Sequence, residues 1–273
     1  MDPAPARLPS TLCPAAPSAL PAYEVLAPFY DRYTADYEHD LVLEQIETLA
    51  LEHGLDGRRV LDVGCGTGKS FLPLLARGYD VTACDISPRM VERARGKLDS
   101  VDATRVVVAD MRSLPWRRAF HLITCLDDGL NYLLRESELG AALRSMSAAL
   151  RPGGLAVFDV NSLRTYRETF SDEFVVESGQ TVFEWHGEGT GDVAPGDRCS
   201  AVLNVRVAGG RLRATSRHTQ RHHPRAAIEA ACAQAGLETL AVRGVAPGAL
   251  LVEDADEDLH RKLVFVAAKP ATA

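Results

Sequence analysis

The chain has 273 residues, with 37 acidic and 30 basic side chains and a formal net charge of −7. That length can bury a substantial core and suits one large α/β domain with an insertion. With a pI near 5.6 there is no global positive field for gripping nucleic acid, and no apolar stretch approaches membrane-span length, so neither partner is expected.

Residues 1–22 carry prolines at 3, 5, 9, 14, 17 and 21 among alanine and serine, and read as a disordered tail without the apolar core of a secretory signal. From Tyr23 to about His53 the pattern is helical, with Leu41, Ile46 and Leu49 on one face and Gly54 as the stop. Strands are then expected near 58–63, 79–84, 105–109, 120–125 and 154–160, with helices near 69–77, 88–98 and 136–150. Leu139, Leu143, Met146 and Leu150 stripe the last helix, and Pro152-Gly153-Gly154 turns the chain into the next strand. Apolar strands alternating with helices predict a mostly parallel sheet covered on both faces, with ligands at the carboxyl ends of its strands.

After about residue 170 the alternation breaks. Segments 173–176, 180–187, 199–208 and 211–222 read as antiparallel strands, with Ala208-Gly209-Gly210 as a hairpin turn. Helical periodicity returns at 224–235, and strands 238–244 and 262–268 flank a loop rich in acidic residues. The expected organisation is a core over 23–170, an antiparallel β lid over 171–223, and the rest of the core over 224–273.

The segment Val60-Leu61-Asp62-Val63-Gly64-Cys65-Gly66-Thr67-Gly68-Lys69 is the most informative in the chain. An apolar run enters three glycines at alternate positions, where backbone must approach a ligand closely, and a helical pattern follows. A phosphate-binding P-loop needs glycine where Val63 stands, and the dinucleotide fingerprint needs it where Lys69 stands. What remains, D-x-G-x-G-x-G, resembles motif I of the class I S-adenosylmethionine (SAM)-dependent methyltransferases. Asp85 closes the next strand 23 residues after Asp62, beside Ile86, and a carboxylate there can accept both hydroxyls of a ribose. Asp110-Met111 ends the third strand and resembles the family's adenine-edge site.

The resemblance extends over about 23–270. It implies a Rossmann-like, seven-stranded, mostly parallel α/β sheet with helices on both faces, a last strand running antiparallel, and an inserted β lid like that of the small-molecule branch. That branch includes aminosugar N,N-dimethyltransferases and glycine N-methyltransferase. The resemblance also implies SAM as cofactor, with Asp62 at its methionine amino end, Gly64, Gly66 and Gly68 allowing close approach, and Leu126 and Asp127 facing the methionine portion. Tyr30 and Tyr37 look like lid-helix tyrosines that contact the methionine end.

For the substrate, Asp127 or Asp128 either orients an amine or hydroxyl or caps the turn before Leu130, and Asn131 and Tyr132 either line the cleft or pack. His218, His222 and His223 lie on or beside a lid strand, where they reach substrate or stay at the surface; His222 is the candidate base. His121 starts its strand, at the wrong end for the site, and reads as structural. Arg211, Arg213, Arg217 and Arg221 share one strand face, pointing outward as a soluble edge or inward to hold an anionic substrate group. Phe183 and Trp185 form an apolar wall over substrate or a core within the lid. No metal-ligand set is recognisable, and the unpaired cysteine pattern fits a reducing cytoplasm. The expected function is methyl transfer to a hydroxyl or amine of a small molecule, a specialised metabolite. The alternatives are amine N-methylation of a sugar nucleotide and SAM binding without turnover. A homodimer is left open.

Overall fold

The computed structural model describes residues 19–37, 39–99 and 105–271, His39 by its backbone alone. Most of the stretch read as a tail, residues 1–18, lies outside the described residues, while residues 20–22 open the first helix. The helical pattern from Tyr23 is divided into α1 (Leu20–Leu26), α2 (Tyr30–Tyr33) and α3 (His39–Glu52). Pro28 has no N–H with which to continue the first helix. The carbonyl of Glu24, one turn earlier, instead accepts Nη1 of Arg89 at 3.2 Å.

Strands β1 (Arg59–Val63), β2 (Asp80–Asp85), β3 (Val106–Val108), β4 (Phe120–Cys125) and β5 (Leu150–Asn161) pair in parallel. Between them stand α4 (Leu72–Ala76), α5 (Pro88–Arg95) and α6 (Glu136–Ala149). Ser87 caps α5 by accepting the Met90 N–H at 3.1 Å, with Pro88 in the first turn. After β5 come α7 (Leu163–Glu168) and the lid strands β6 (Glu173–Ser178), β7 (Thr181–Gly187), β8 (Arg198–Val207) and β9 (Arg211–Arg221), an antiparallel sheet in sequence order. Helix α8 (Arg225–Gln234) then leads to β10 (Glu238–Ala246), β11 (Leu250–Val252) and β12 (Lys262–Ala268).

The main sheet has the order β11-β10-β12-β5-β4-β1-β2-β3, with β12 antiparallel to both its neighbours. Among the described residues it therefore has eight strands instead of the expected seven. The extra strand, β11, is three residues long and pairs with β10 at the sheet edge, too short for alternation to mark it in the sequence. Alternate side chains fill the two faces. Leu61, Ile123, Phe158 and Phe265 pack toward one cluster, Val60, Leu122, Val157 and Val266 toward the other. Phe158 and Phe265 stack with ring centroids 5.3 Å apart, joining β5 to β12.

A third cluster holds the lid. Phe170, Phe183, Trp185 and Leu203 bury with Tyr166 of α7 and Leu26 of α1, so the lid core also anchors the first helix. On β9, Ser216, His218 and Gln220 are buried, whereas Arg211, Arg213 and Arg217 are exposed and Arg221 is half-buried. The arginine face therefore points outward.

Candidate active site

The carboxyl ends of β1, β2 and β3 form one wall of a pocket. Gly64 and Gly66 adopt φ of +72° and +52°, the left-handed region that glycine enters without a Cβ penalty. A Cβ on Gly64 would approach Met111 Cε at 3.8 Å, and one on Gly66 would approach Tyr30 Cε1 at 3.6 Å. Both directions open into the pocket, whose lining includes all four residues. Gly68 has another constraint: its added Cβ would lie 2.9 Å from the Phe71 ring.

Asp85 ends β2 with Oδ2 accepting the Gly66 N–H at 2.9 Å and Oδ1 accepting the Ser87 N–H at 2.8 Å. Each oxygen keeps acceptor capacity toward the pocket. Burial raises its pKa against these backbone donors. Asp110 follows β3 and is forked by Arg112, with Nη2 at 2.6 Å from Oδ2 and Nε at 3.0 Å from Oδ1. Burial alone would raise the Asp110 pKa, but the Arg112 hydrogen bonds and charge hold it below the ordinary carboxylate value. Arg112 also reaches Glu138 of α6 at 2.7 Å, which ties the third strand end to the helix beyond it.

Asp62 lies beneath this wall. It is fully buried, with Oδ2 accepting from Ser70 Oγ at 2.5 Å and Oδ1 from Thr124 Oγ1 at 2.7 Å. Burial raises its pKa to about 6 in spite of those two donors.

The roof and far wall come from distant segments. Ser87 Oγ and the Arg89 N–H donate to Glu24 Oε1 at 2.5 and 3.0 Å, docking α1 on the start of α5. Thr67 Oγ1 donates to Asp31 at 2.6 Å and Lys69 Nζ to the Thr34 carbonyl at 2.5 Å, which ties α2 to the glycine turn. Tyr23 thereby meets Tyr132, hydroxyl to hydroxyl, at 3.1 Å. Tyr132 in turn meets His218 Nδ1 of the lid at 2.9 Å. Burial lowers the His218 pKa to about 4 and raises that of Tyr132.

After β4 the chain makes an unusual turn. Asp127 and Asp128 both have positive φ, +59° and +54°, at a steric cost of roughly 1–2 kcal/mol each. Neighbouring charges hold them in place. Lys262 Nζ lies 3.0 Å from Asp128, 3.1 Å from Asp159 and 3.8 Å from Asp127. The Asp128 N–H donates to Asp159 Oδ1 at 2.6 Å, and Gln220 Nε2 of the lid donates to Asp128 Oδ2 at 2.5 Å. Burial raises the pKa of Asp128 and Asp159 while Lys262 opposes it. Burial would lower the Lys262 pKa, but the three carboxylates outweigh it and keep the ammonium charged.

Residues 60–154 match the methyltransferase domain family. A putative methyltransferase of Geobacillus is 30% identical over 162 residues, 59% of this chain and 66% of that protein. The dTDP-3-amino-3,4,6-trideoxy-α-D-glucopyranose N,N-dimethyltransferase of Streptomyces venezuelae is 31% identical over 156 residues, 56% and 63% of the two chains. The aligned stretch thus spans just under two thirds of the length of these curated relatives. A solved S-adenosylmethionine-dependent methyltransferase from Clostridium acetobutylicum shares the fold, with a TM-score of 0.75 and 23% identity over 91% of this chain and 99% of that one. The chain thus carries a methyltransferase domain over residues 60–154 and has the fold of solved S-adenosylmethionine-dependent methyltransferases.

In this chain the pocket gathers Tyr30, Gly64, Gly66, Asp85, Ile86, Asp110, Met111, Leu126, Asp127 and Tyr132 from among the residues singled out in the sequence. It does not gather the others. Asp62 and Gly68 support the glycine turn from outside the lining, and Tyr37 is 54% exposed beyond it. Asp128 sits behind Asp127, held by Lys262 and Gln220. Asn131 is buried between the Arg221 carbonyl and the Asn161 N–H. Trp185 belongs to the lid core and donates Nε1–H to the Thr169 carbonyl at 2.8 Å. Arg221 pairs with Glu136 at 2.9 Å. His222 is fully buried, with Nδ1 accepting the Gly196 N–H at 3.2 Å and Nε2 3.1 Å from Glu257, so its ring nitrogens are occupied away from the pocket. His121 accepts the Arg59 N–H at the start of its strand, the structural role expected of it.

Sequence reasoning passed over Tyr23, Arg112, Glu138, Asp159 and Lys262. Only Tyr23 carried a local signal, standing two helical turns before Tyr30. The pocket fits S-adenosylmethionine: the glycine cradle admits close backbone approach, and Asp85 offers carboxylate lone pairs. Among the described residues no helix is long and apolar enough to cross a membrane, and no His/Cys/Asp/Glu group has metal-binding geometry.

Proposed function

We propose that this methyltransferase transfers the methyl group of SAM to an amine or hydroxyl of a small molecule, a specialised metabolite, in the cytoplasm. SAM brings a methyl already activated by its sulfonium, so the protein's tasks are binding, alignment and exclusion of water. Asp85 accepts the ribose hydroxyls, Asp110 and Met111 hold the adenine edge, and Gly64 and Gly66 admit the chain joining ribose to methionine. Asp62 acts from beneath by fixing Ser70 and Thr124. Leu126, Asp127 and Tyr132 face the acceptor. The observation that carries this reading is the closure of one pocket by acidic strand ends on one side and the Tyr23–Tyr132 pair on the other. The free buried thiols of Cys65, Cys84, Cys125, Cys199 and Cys232 support the reducing compartment.

Calorimetry with SAM and transfer of labelled methyl to metabolite extract test it. Asp85→Ala should weaken SAM binding about 10- to 100-fold, the loss of charge-assisted hydrogen bonds worth about 1.5–3 kcal/mol. Unchanged binding by that variant overturns the ribose assignment, and binding without any labelled product favours a SAM-binding protein that does not turn over.

A second reading, N-methylation of an amino group on a sugar nucleotide, is supported by the Streptomyces relative. The arginine face of β9 no longer argues for it, because that face is exposed. Thermal protection by nucleotide-diphosphate sugars is the expected sign, and its absence counts against this reading.

A further inference from the structure

We propose that Tyr23, Tyr132 and His218 form a proton relay that takes the proton of the methyl acceptor out of the pocket and holds it on an imidazole inside the lid. The inference rests on the methyl-transfer reading and deepens it by assigning the acceptor's hydrogen-bonding class.

Three contacts carry it. Tyr23 Oη lies 3.1 Å from Tyr132 Oη, Tyr132 Oη lies 2.9 Å from His218 Nδ1, and His218 Nε2 lies 2.9 Å from Ser216 Oγ. The chain joins α1, the turn after β4 and lid strand β9, and all three rings meet edge to face, with Tyr23 and His218 centroids 5.7 Å apart. Tyr23 and Tyr132 line the pocket; His218 does not, and only 3% of it is exposed. The pocket end is therefore phenolic and the far end is a base shielded from water.

The polarity of the chain determines what it can take. With Tyr23 O–H donating to Tyr132 and Tyr132 O–H donating to Nδ1, both phenolic protons are committed inside the chain. Nε2–H then donates to Ser216 Oγ, and the Tyr23 oxygen presents lone pairs to the pocket. Such an end accepts a hydrogen bond from an acceptor N–H or O–H and turns that atom's lone pair toward the methyl. A carboxylate acceptor has no proton to give and gains nothing from it.

The step balances. As the acceptor's lone pair forms the new carbon–heteroatom bond, the carbon–sulfur bond breaks and its electron pair stays on sulfur. The acceptor's X–H bond breaks with its pair returning to the heteroatom, and the proton moves to Tyr23 Oη. The Tyr23 proton moves to Tyr132, and the Tyr132 proton to Nδ1. The positive charge that arrived as sulfonium ends as imidazolium in the lid.

The carboxylate facing this chain is Asp128, whose oxygens are held by Lys262 and Gln220; Tyr30, Tyr33, Tyr37 and Tyr166 are further titratable side chains near the tyrosines. On the lid side the neighbours are the uncharged Trp185 and Ser216. Burial keeps the resting imidazole neutral, with a pKa near 4, so it is free to receive the proton and quick to release it.

Full-length wild type, His218→Phe, Tyr132→Phe and the double variant test the relay. Tyr132→Phe keeps the ring packing, so it guards against a loss that only reports misfolding. Nitrogen-15 NMR of histidine-labelled protein without cofactor should show His218 with Nδ1 unprotonated and Nε2 protonated from pH 5.5 to 8, and Tyr132→Phe should move the Nδ1 resonance. Turnover uses SAM with a tritiated methyl and a panel of primary amines and alcohols, the fastest acceptor serving for every variant. Each single variant should lower kcat about 10- to 100-fold with the KM for SAM within twofold, and the double variant should match a single one. A kcat within twofold in His218→Phe, additive losses, or a protonated Nδ1 indifferent to Tyr132→Phe overturns the relay and leaves methyl transfer standing. Wild type that binds SAM yet labels no panel member overturns both.

Discussion

On the wall made by the ends of β1, β2 and β3, every pocket residue stands within a few positions of its strand end, and backbone amides do much of the holding. Asp85 accepts from Gly66 and Ser87, and Gly64 and Cys65 donate to the Cys84 carbonyl at 2.8 and 3.0 Å. The opposite wall is built by side chains from across the chain. Tyr23 reaches Tyr132 across 109 positions, Tyr132 reaches His218 across 86, and Lys262 reaches Asp128 across 134. One wall is a consequence of local backbone geometry, while the other depends on the lid, the last strand and the first helix arriving together. Substitutions should therefore divide by wall, with the larger stability losses on the assembled side.

The largest expected effect is at Lys262. Its side chain is about a quarter exposed, and its ammonium is the countercharge for Asp127, Asp128 and Asp159, two of them in left-handed backbone. Lys262→Met leaves that charge unbalanced and should cost about 3–5 kcal/mol in denaturant unfolding at pH 8. Burial already raises the pKa of Asp128 and Asp159, and without Lys262 protonation is easier still. The loss should shrink as the pH falls toward 5. A loss that stays constant with pH would mean Lys262 contributes packing alone, and the contrast between the walls would lose its main support.

The same contrast explains what could be read in advance. The glycine turn, Asp85 and Asp110 were legible because strand periodicity fixes where each strand ends, and the glycines mark where backbone turns. The lid strands were legible from alternation, and the outward arginines followed from their shared parity once the buried side of β9 was known. The Lys262 cluster was not legible. Asp159 sits inside an apolar strand and Lys262 stands at the start of another, and what brings them together is the antiparallel pairing of β12 on β5, with Lys262 opposite Asn161. The same limit applies to His222, which looked like a candidate base by its place on the lid and proves to be occupied by Gly196 and Glu257. A sequence names a histidine's strand, not the partner its ring meets.

Asp62 gives the next effect, on the local wall. Its pKa, raised to about 6 in the fold, exceeds the unfolded value near 4, so folding disfavours its ionised form. The stability it contributes is full below about pH 4 and is lost as the pH rises through 6. Asp62→Asn keeps an acceptor for one hydroxyl, offers a donor to the other, and does not titrate. Relative to wild type it should gain about 2–3 kcal/mol between pH 4 and pH 7.5, measured as the change in the difference between the two unfolding free energies. A difference that does not move with pH would place the Asp62 carboxylate in an ordinary solvated environment and detach it from Ser70 and Thr124.

The smallest effect lies on β9, where one strand presents both kinds of surface. Ser216, His218 and Gln220 point inward to the relay, the Asp128 turn and Asn161, whereas Arg211 and Arg213 point to solvent. Arg213→Ala should change stability by less than about 0.5 kcal/mol, as exposed positions do, and leave methyl transfer unaltered. Its neighbours on the opposite face should not be so tolerant, because removing a partner there leaves a buried polar group unsatisfied, at about 1–3 kcal/mol. If instead Arg213→Ala slowed transfer while Gln220→Ala did not, the strand would have to present its arginines to the substrate. The face now assigned to the pocket side would then be the wrong one.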